Sequence, residues 1–386
     1  MTRATAEVDL AAVRANLDRV RALAGSAAVM AVVKADAYGH GMVAIAREAR
    51  AWGAEWLGVA LPSEACQLRA EGDTGRILAW LWTPGDPAID SCVAGGIDLG
   101  VSSRWALAEV VAAARRAESV ARIQVKIDTG LSRNGITPDE LPALLDDVVA
   151  EQESGRVVVE GIWSHLADAD QPGSATVPVQ AERYLAALDF AQTRGLRPRL
   201  RHLSNSAGLW AYPEYRFDLV RTGIAMYGLT PAPNLGSAAD LGLVPAMTLK
   251  AALANVKSVG AGSNVSYGST WTAPGRTTLG LVPVGYADGI PRAAGGRVEV
   301  AIAGRRHPSV GRIAMDQFVV DLGDHAAAAG DEAYLFGPGH HGEPSADDWA
   351  AGIDTIGYEI VTRIGSRVPR GYVGSGSARD TGVYES

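Results

Sequence analysis

The chain has 386 residues, of which 47% are hydrophobic and 20% charged, so it is long enough for two globular domains with sizeable cores. Its formal net charge of −8 argues against nucleic acid or an anionic membrane surface as the main partner. Two cysteines are too few for a disulfide framework, and no stretch resembles a signal peptide or a membrane span. We therefore expect a soluble, cytoplasmic protein.

The N-terminal part of the sequence alternates strand-like and helix-like patterns. An amphipathic helix is predicted first, because apolar residues recur at helical spacing from Leu10 to Leu23. Eight apolar or β-branched runs follow, and helical patterns come after most of them. The predicted strands are residues 28–34, 55–60, 76–82, 97–101, 122–128, 157–164, 199–204 and 218–228. This alternation predicts an α/β fold that begins with a (β/α)8 barrel of the TIM type.

An open, doubly wound sheet is the competing arrangement for these strands. It is less favoured, because no G-x-G-x-x-G motif follows the first strand and opens a helix.

The composition changes near residue 230. The segment "LTPAPNLGSAADLGLVP" is rich in proline, glycine and small residues and predicts a linker. Beyond it, β-type runs separated by glycine-bearing turns predict a mainly β C-terminal domain. We expect the barrel over residues 1–240, with about the first ten residues free to pack with the second domain. The β domain is expected over 241–373 and a disordered tail over 374–386.

Unusual residues stand at or just beyond the ends of five predicted barrel strands. They are Lys34, Arg133, His165, Asn205, Ser206, Arg221 and Gly223. Because the carboxyl ends of barrel strands meet on one face, where barrel active sites form, we expect these residues to lie together. Lys34 ends an apolar run. An ordinary lysine there would extend its charge to solvent, whereas a desolvated amine could form an imine with an aldehyde cofactor.

Two segments of small residues follow the last two barrel strands. "SNSAG" and "TGIAMYG" lie where barrels often bind phosphate through backbone N–H groups. A phosphate cup and an imine-forming lysine together suit pyridoxal phosphate, although either signal alone is weak.

Nine motifs resemble those of bacterial alanine racemases and occur in the same order. They are "VVKADAYGHG", "VKIDTGLSRNGI", "GIWSHLADAD", "HLSNSAG", "VRTGIAMYG", "NVSYGSTW", "VPVGYADGIPR", "GRIAMDQ" and "YEIVTRIGSRVPR". They span both proposed domains. The resemblance implies an isomerase that interconverts L-alanine and D-alanine by two-base proton transfer through a pyridoxal-phosphate aldimine. It also implies that the D-alanine serves peptidoglycan synthesis for the cell wall.

The resemblance assigns the two bases to different domains. Lys34 would hold the cofactor covalently and serve one face of the substrate, and Tyr267 would serve the other face from a partner subunit. A homodimer with shared active sites is therefore implied. The residues expected to contact the cofactor are Lys34, Tyr38, His165, Ser206, Arg221, Gly223, Ile224 and Tyr358. Those expected to support catalysis are His165, Arg221, His202 and Asp316.

The substrate carboxylate is expected, from the same resemblance, to meet Arg133 and the backbone N–H of Met315. Tyr286 would narrow the entrance together with Tyr358. Lys126 has two interpretations: a carbamate that braces Arg133, or an ordinary salt-bridging lysine.

The sequence departs from the usual family motifs at a few positions. Leu131 and Ser132 stand where "MG" is usual, and Ala314 stands where a cysteine is frequent. None of these changes removes an assigned functional group.

Two other enzymatic functions and one non-enzymatic function are alternatives to this one. A broad-specificity or serine-tolerant racemase of the same fold is the enzymatic alternative. A barrel decarboxylase acting on basic amino acids is disfavoured, because its acidic and cysteine-bearing motifs are missing. A cofactor carrier or regulatory protein would not need "VSYG" and "GRIAMDQ" in a second domain.

No metal site is predicted from the remaining histidines. His340 and His341, with Glu343, lack a zinc-site spacing and should be exposed, and His307 and His325 are expected at the surface.

Overall fold

The computed structural model describes residues 2–374, so the predicted tail lies outside the described residues except for Gly374. The chain starts with β1 (Ala4–Asp9) and α1 (Leu10–Ala24). The side chain of Asp9 caps α1 by accepting the N–H groups of Ala11 and Ala12 at 2.8 and 3.2 Å. Gly25 ends the helix with a φ of 63°.

Eight strands form the framework of the N-terminal part. They are β2 (Ala28–Val32), β3 (Trp56–Val59), β4 (Arg76–Ala79), β5 (Asp98–Val101), β6 (Ala121–Lys126), β7 (Val157–Trp163), β8 (Leu200–His202) and β9 (Leu219–Thr222). The helical segments between and after them are α2 (Lys34–Gly39), α3 (Met42–Trp52), α4 (Pro62–Ala70), α5 (Ala88–Ala94), α6 (Arg104–Arg116), α7 (Leu141–Glu153), α8 (Thr176–Thr193) and α9 (Ser206–Ala211).

The eight strands are parallel and lie in the order β8-β7-β6-β5-β4-β3-β2-β9. The two end strands, β8 and β9, also lie next to each other. The N–H of Arg221 in β9 donates to the carbonyl of Ser204, just after β8, at 3.1 Å. The N–H of Asp218 donates to the carbonyl of Arg201 at 3.0 Å. The sheet is therefore a nearly closed barrel, which confirms the predicted fold.

Burial explains why these strands were recognisable in the sequence. All residues of β3 and β5 are buried, because helices cover the outside of the barrel and side chains fill the inside. Each predicted strand overlaps an observed one. The last ends at Thr222 instead of residue 228, because the chain turns into a short 3-10 helix, Ile224–Tyr227.

The C-terminal part is mainly β, as predicted. Its strands are β10 (Met247–Ala252), β11 (Asn255–Val259), β12 (Asn264–Val265), β13 (Trp271–Thr272), β14 (Thr277–Val282), β15 (Glu299–Ile302), β16 (Arg305–Val310), β17 (Phe318–Gly323), β18 (Glu332–Phe336) and β19 (Arg370–Val373). Two short helices precede the last strand, α10 (Ala346–Gly352) and α11 (Gly357–Thr362).

The first strand of the chain belongs to the C-terminal sheet. Nine strands lie in the order β11-β14-β17-β16-β15-β18-β10-β1-β19, and β12 pairs with β13 separately. β1 runs antiparallel to β10 and parallel to β19. Both ends of the described chain therefore meet in one sheet.

The surface interpretation of His307 is wrong. This side chain is buried, because His307 is one of the residues of β16 that point into the domain. Its Nε2 lies 2.7 Å from Nδ1 of His325. His340 and His341 are exposed as expected, whereas Glu343 is buried and accepts backbone N–H groups. None of the helices within residues 2–374 is long and apolar enough to cross a membrane.

Candidate active site

A cavity of about 410 Å³ opens at the carboxyl ends of the barrel strands. Eleven of the residues singled out in the sequence line it: Lys34, Tyr38, Lys126, Arg133, His165, Asn205, Ser206, Arg221, Gly223, Ile224 and Tyr358. Val32, Ala35, Trp80, Trp163 and Thr362 complete the lining. The structure thus brings together residues from six barrel strands or the loops that follow them, with two residues of α11.

Lys34 starts a segment with an unusual backbone. Residues Ala35 to Tyr38 in α2 all have positive φ values, from 52 to 55°, so this helical segment is a single left-handed turn. Such a run is unfavourable for L-residues and needs support from elsewhere. Glu64 of α4 accepts the N–H of Ala35 at 2.6 Å, and Asp36 accepts the N–H of Met42 at 2.7 Å. The turn fixes the direction in which the chain leaves Lys34.

The amine of Lys34 lies among aromatic rings. Its Nζ is 5.8 Å from the ring centre of Tyr38 and 6.0 Å from that of Trp80. Burial lowers the pKa of this amine, and the charge of Arg133 lowers it further. A lysine with a lowered pKa is neutral more of the time and is a better nucleophile towards an aldehyde.

One end of the cavity is formed by hydroxyl groups and a glycine. Ser206, the first residue of α9, accepts the N–H of Gly223 with its Oγ at 3.1 Å. A Cβ atom on Gly223 would lie only 2.4 Å from Oη of Tyr38, so the backbone and this phenol are in close approach. Burial raises the pKa of Tyr38 and of Tyr358, which keeps both hydroxyl groups protonated as donors.

Arg221 is a buried cation in the lining of the cavity. Its guanidinium donates to the carbonyls of Ser164 and Leu203 at 2.8 and 2.9 Å. It also contacts Nδ1 of His202 at 3.0 Å and Nδ1 of His165 at 3.3 Å. Burial lowers the pKa of Arg221 to about 10, so it remains charged at neutral pH. Burial and this charge together lower the pKa of both histidines, which are therefore neutral.

Positive charge is concentrated around Lys126. Its Nζ lies 4.5 Å from the ring centre of Trp163, and the Cζ of Arg221 lies 5.0 Å from the same ring. Burial lowers the pKa of Lys126 to about 7, and the charges of Arg221 and Arg133 act in the same direction. An anion at this point would relieve the repulsion among the cations.

His202 lies in the barrel, in contact with Arg221, whereas Tyr267, Tyr286, Met315 and Asp316 belong to the C-terminal domain; none of these five lines the barrel cavity of the chain within residues 2–374. Tyr267 is 71% exposed on a turn between β12 and β13. Met315 is 53% exposed, and its carbonyl accepts the N–H of Ala287, the residue after the exposed Tyr286. Asp316 pairs with Arg367 at 2.8 Å on this surface.

Two tryptophans of the site were not singled out from the sequence. Trp80 and Trp163 line the cavity with ring centres 6.0 Å apart. A signal was present for Trp163, since it lies inside the motif "GIWSHLAD", immediately before Ser164 and His165. Trp80 stands in the apolar run "RILAWLW", where nothing distinguishes it from a core residue.

Comparisons with known proteins agree with this geometry. The family profile "Alanine racemase, N-terminal domain" matches residues 8–231, and "Alanine racemase, C-terminal domain" matches residues 246–372. The alanine racemase of Streptomyces coelicolor is 54% identical over 376 residues, which cover 96% of each chain. The crystal structure of alanine racemase from D-cycloserine-producing Streptomyces lavendulae superposes with a TM-score of 0.96 at 54% identity, covering 97% of this chain and 98% of that one. The solved S. coelicolor structure gives 0.94 at 53% identity, with the same coverage.

Proposed function

Because this chain belongs to the alanine racemase family, it interconverts L-alanine and D-alanine, and we propose that Lys34 binds its pyridoxal phosphate cofactor covalently. The observation that carries the proposal is the position of one buried amine in the same cavity as a cup of hydroxyl and backbone N–H groups. We further propose that the D-alanine supplies peptidoglycan synthesis.

The residues of the cavity fit the parts of this cofactor. Tyr38, Ser206, Tyr358 and the backbone around Gly223 and Ile224 offer donors to a phosphate. Arg221 stays charged and would donate to the pyridine nitrogen. When bound, the cofactor supplies an electron sink that makes the α-proton of alanine acidic.

Two bases are needed, because the α-proton leaves one face of the substrate and a new proton arrives on the opposite face. We assign the first face to Lys34, whose pKa is lowered by burial. Tyr267 is 71% exposed in its own chain, so we assign the second face to Tyr267 of a second copy. His165, held by Arg221, would contact that phenol from the barrel side.

A homodimer follows from this assignment. Tyr267, Tyr286 and Met315 are large, mainly apolar side chains exposed on the surface of the C-terminal domain. Leu81 and Trp105 are exposed apolar side chains beside the barrel cavity, 50% and 42% accessible. Docking one surface on the other would remove both from water and would complete each cavity.

Arg133 is the proposed partner of the substrate carboxylate, together with the N–H of Met315 from the second copy. Arginine suits this role, because its planar fork matches a carboxylate. We propose that Lys126 reacts with carbon dioxide to give a carbamate and one released proton. The neutral amine thereby becomes an anion, which would brace Arg133 and offset the repulsion among neighbouring cations that lowers the pKa of Lys126.

Reduction with borohydride tests the covalent attachment. The purified chain should absorb in the visible range, and reduction should fix the cofactor to the peptide that carries Lys34. Lys126 provides an internal control, because it is a second buried amine in the same cavity. Label on Lys126, or no label after addition of pyridoxal phosphate, would contradict the proposal.

Substrate range is tested by measuring turnover of L-alanine, L-serine, L-lysine and L-arginine side by side. We expect alanine to be preferred and serine to be a slow second substrate, since one small group in a pocket is worth about 1–3 kcal/mol. A preference for a basic amino acid would show that the specificity is assigned wrongly.

A further inference from the structure

A row of polar side chains crosses the barrel beneath the cavity. It starts at Arg76, the first residue of β4, and continues through Asp98 at the start of β5 and Gln124 inside β6. It ends with His202 at the end of β8 and Arg221 in β9. The successive hydrogen-bond distances are 2.9, 2.9, 2.8 and 3.0 Å. The row therefore joins the amino-terminal end of the barrel to the site.

The hydrogen bonds of this row can point in only one direction when Asp98 is ionised. A carboxylate only accepts, so Gln124 turns its amide nitrogen towards Asp98 and its amide oxygen towards His202. The oxygen accepts from Nε2 of His202, which must therefore carry the proton. Nδ1 of His202 keeps its lone pair and accepts from Arg221.

The surroundings support these protonation states. Arg76 donates to both oxygens of Asp98 at 2.9 Å, and Asp98, Gln124 and His202 are fully buried. Burial raises the pKa of Asp98 to about 6, opposed by Arg76 and reinforced by Glu160, so the carboxylate is ionised at neutral pH. Burial, with the charge of Arg221, lowers the pKa of His202, so the imidazole is neutral.

We propose that Asp98 and Gln124 are positioning residues that keep the proton of His202 on Nε2 and thereby hold Arg221 as a charged donor facing the cofactor. The other tautomer would place an N–H of His202 against an N–H of Arg221 at a distance of 3.0 Å. Two donors cannot share a hydrogen bond, so Arg221 would lose this contact and shift in the cavity. The inference rests on the proposed role of Arg221, whereas the proton position on His202 is a property of the chain alone.

The first measurement is made on the parent chain, and a variant serves only to assign the signals. The full-length, cofactor-loaded chain is labelled with ¹⁵N-histidine, and the signals of His202 among the seven histidines are identified with a His202→Gln chain. At about pH 8 we expect a neutral ring with a protonated Nε2 and an unprotonated Nδ1. A proton on Nδ1, or a charged imidazolium, overturns the proposal.

The second measurement uses a paired exchange. Asp98→Asn places two amides, Asn at position 98 and Gln124, against each other. Either amide can then be the donor, so Gln124 can turn its oxygen or its nitrogen towards His202 and no longer determines which ring nitrogen carries the proton. Adding Gln124→Glu restores an obligatory acceptor for His202, because the new carboxylate accepts from both His202 and the amide nitrogen of Asn at position 98, while the amide oxygen of that Asn still accepts from Arg76. We expect the ¹⁵N signals to move in the single variant and to return in the double variant.

Turnover should follow the same pattern. Outer contacts that orient a functional group typically change activity by about 10–100-fold, so the single variant should lose kcat in that range with a smaller change in KM. The double variant should recover kcat to within about threefold. A single variant with unmoved ¹⁵N signals, or a double variant as perturbed as the single one, would refute the proposal.

A matched control separates this effect from loss of stability. Tyr212→Phe removes another hydrogen bond of a buried side chain in the barrel, from the Tyr212 hydroxyl to the carbonyl of Gln171 at 3.0 Å. It should lower the melting temperature without moving the His202 signals. If the borohydride test fails while His202 shows the expected tautomer, only the cofactor assignment is wrong, and the polar row stands.

Discussion

Adding one methyl group at Gly223 should weaken cofactor binding. A Cβ at this position would lie 2.4 Å from Oη and 2.9 Å from Cζ of Tyr38. The phenol would have to retreat by about 1 Å to reach ordinary van der Waals separation. It cannot do so freely, because Tyr38 is buried, with ring centres 5.0 and 6.1 Å from those of Tyr227 and Tyr358.

The size of the effect follows from the bond that is lost. A hydrogen bond to a charged group is worth about 1.5–3 kcal/mol, so Gly223→Ala should raise the dissociation constant for pyridoxal phosphate roughly 10- to 150-fold. The assay is a titration of the cofactor-free, full-length chain with pyridoxal phosphate. Quenching of the fluorescence of Trp80 and Trp163, which line the cavity, provides the signal.

Two further chains make this test specific. Gly260→Ala is the control, since a Cβ there would meet no atom within 4 Å, and it should bind like the parent chain. In a Tyr38→Phe background the clashing oxygen is gone, so Gly223→Ala should cost less than it does alone. A dissociation constant within about twofold of the parent value for Gly223→Ala would refute the assignment of the phosphate cup.

Three other results are expected. Tyr267→Phe should keep its cofactor and its melting temperature but lose most racemisation, about 100-fold or more if the phenol is a general base; unchanged turnover would defeat the two-base assignment. Mixing a Lys34→Ala chain with a Tyr267→Phe chain should restore part of the activity, because one of the two shared sites in a mixed dimer is intact; no recovery would argue against shared sites. ¹³C-bicarbonate should give a carbamate signal that Lys126→Ala abolishes. Since only the neutral amine reacts and its pKa is about 7, this signal should grow as the pH rises through 7, and a signal independent of Lys126 would exclude the assignment.

The barrel could be predicted because its strands are buried on both faces and are therefore written as continuous apolar runs, such as "WLGV" in β3. The left-handed turn after Lys34 could not be predicted from the sequence. Its four residues, Ala35 to Tyr38, include no glycine, and one of its supports is Glu64, which lies 29 positions from Ala35. Local sequence favours another conformation there, and tertiary contacts override it.

A site residue could be predicted from the sequence only if it lay in a recognisable motif or at the end of a predicted strand. Gln124 is visible as a polar residue within the buried run "RIQVKID", but its partners become apparent only when the closed barrel brings the side chains of Asp98 and His202 within hydrogen-bond distance of it. Tyr267 illustrates the opposite case. The motif "VSYG" singles it out, but in the structure of one chain its side chain is exposed to solvent and is not enclosed in a site.

The pairing of β1 with both β10 and β19 has a consequence for how the polypeptide matures. The strand Ala4–Asp9 is synthesised more than 350 residues before its parallel partner Arg370–Val373 and must wait for it before the sheet is complete. Such distant pairing is slow to form, so the barrel emerges while its companion sheet still has exposed edges. Removing the first nine residues would therefore damage the domain farthest from them along the chain.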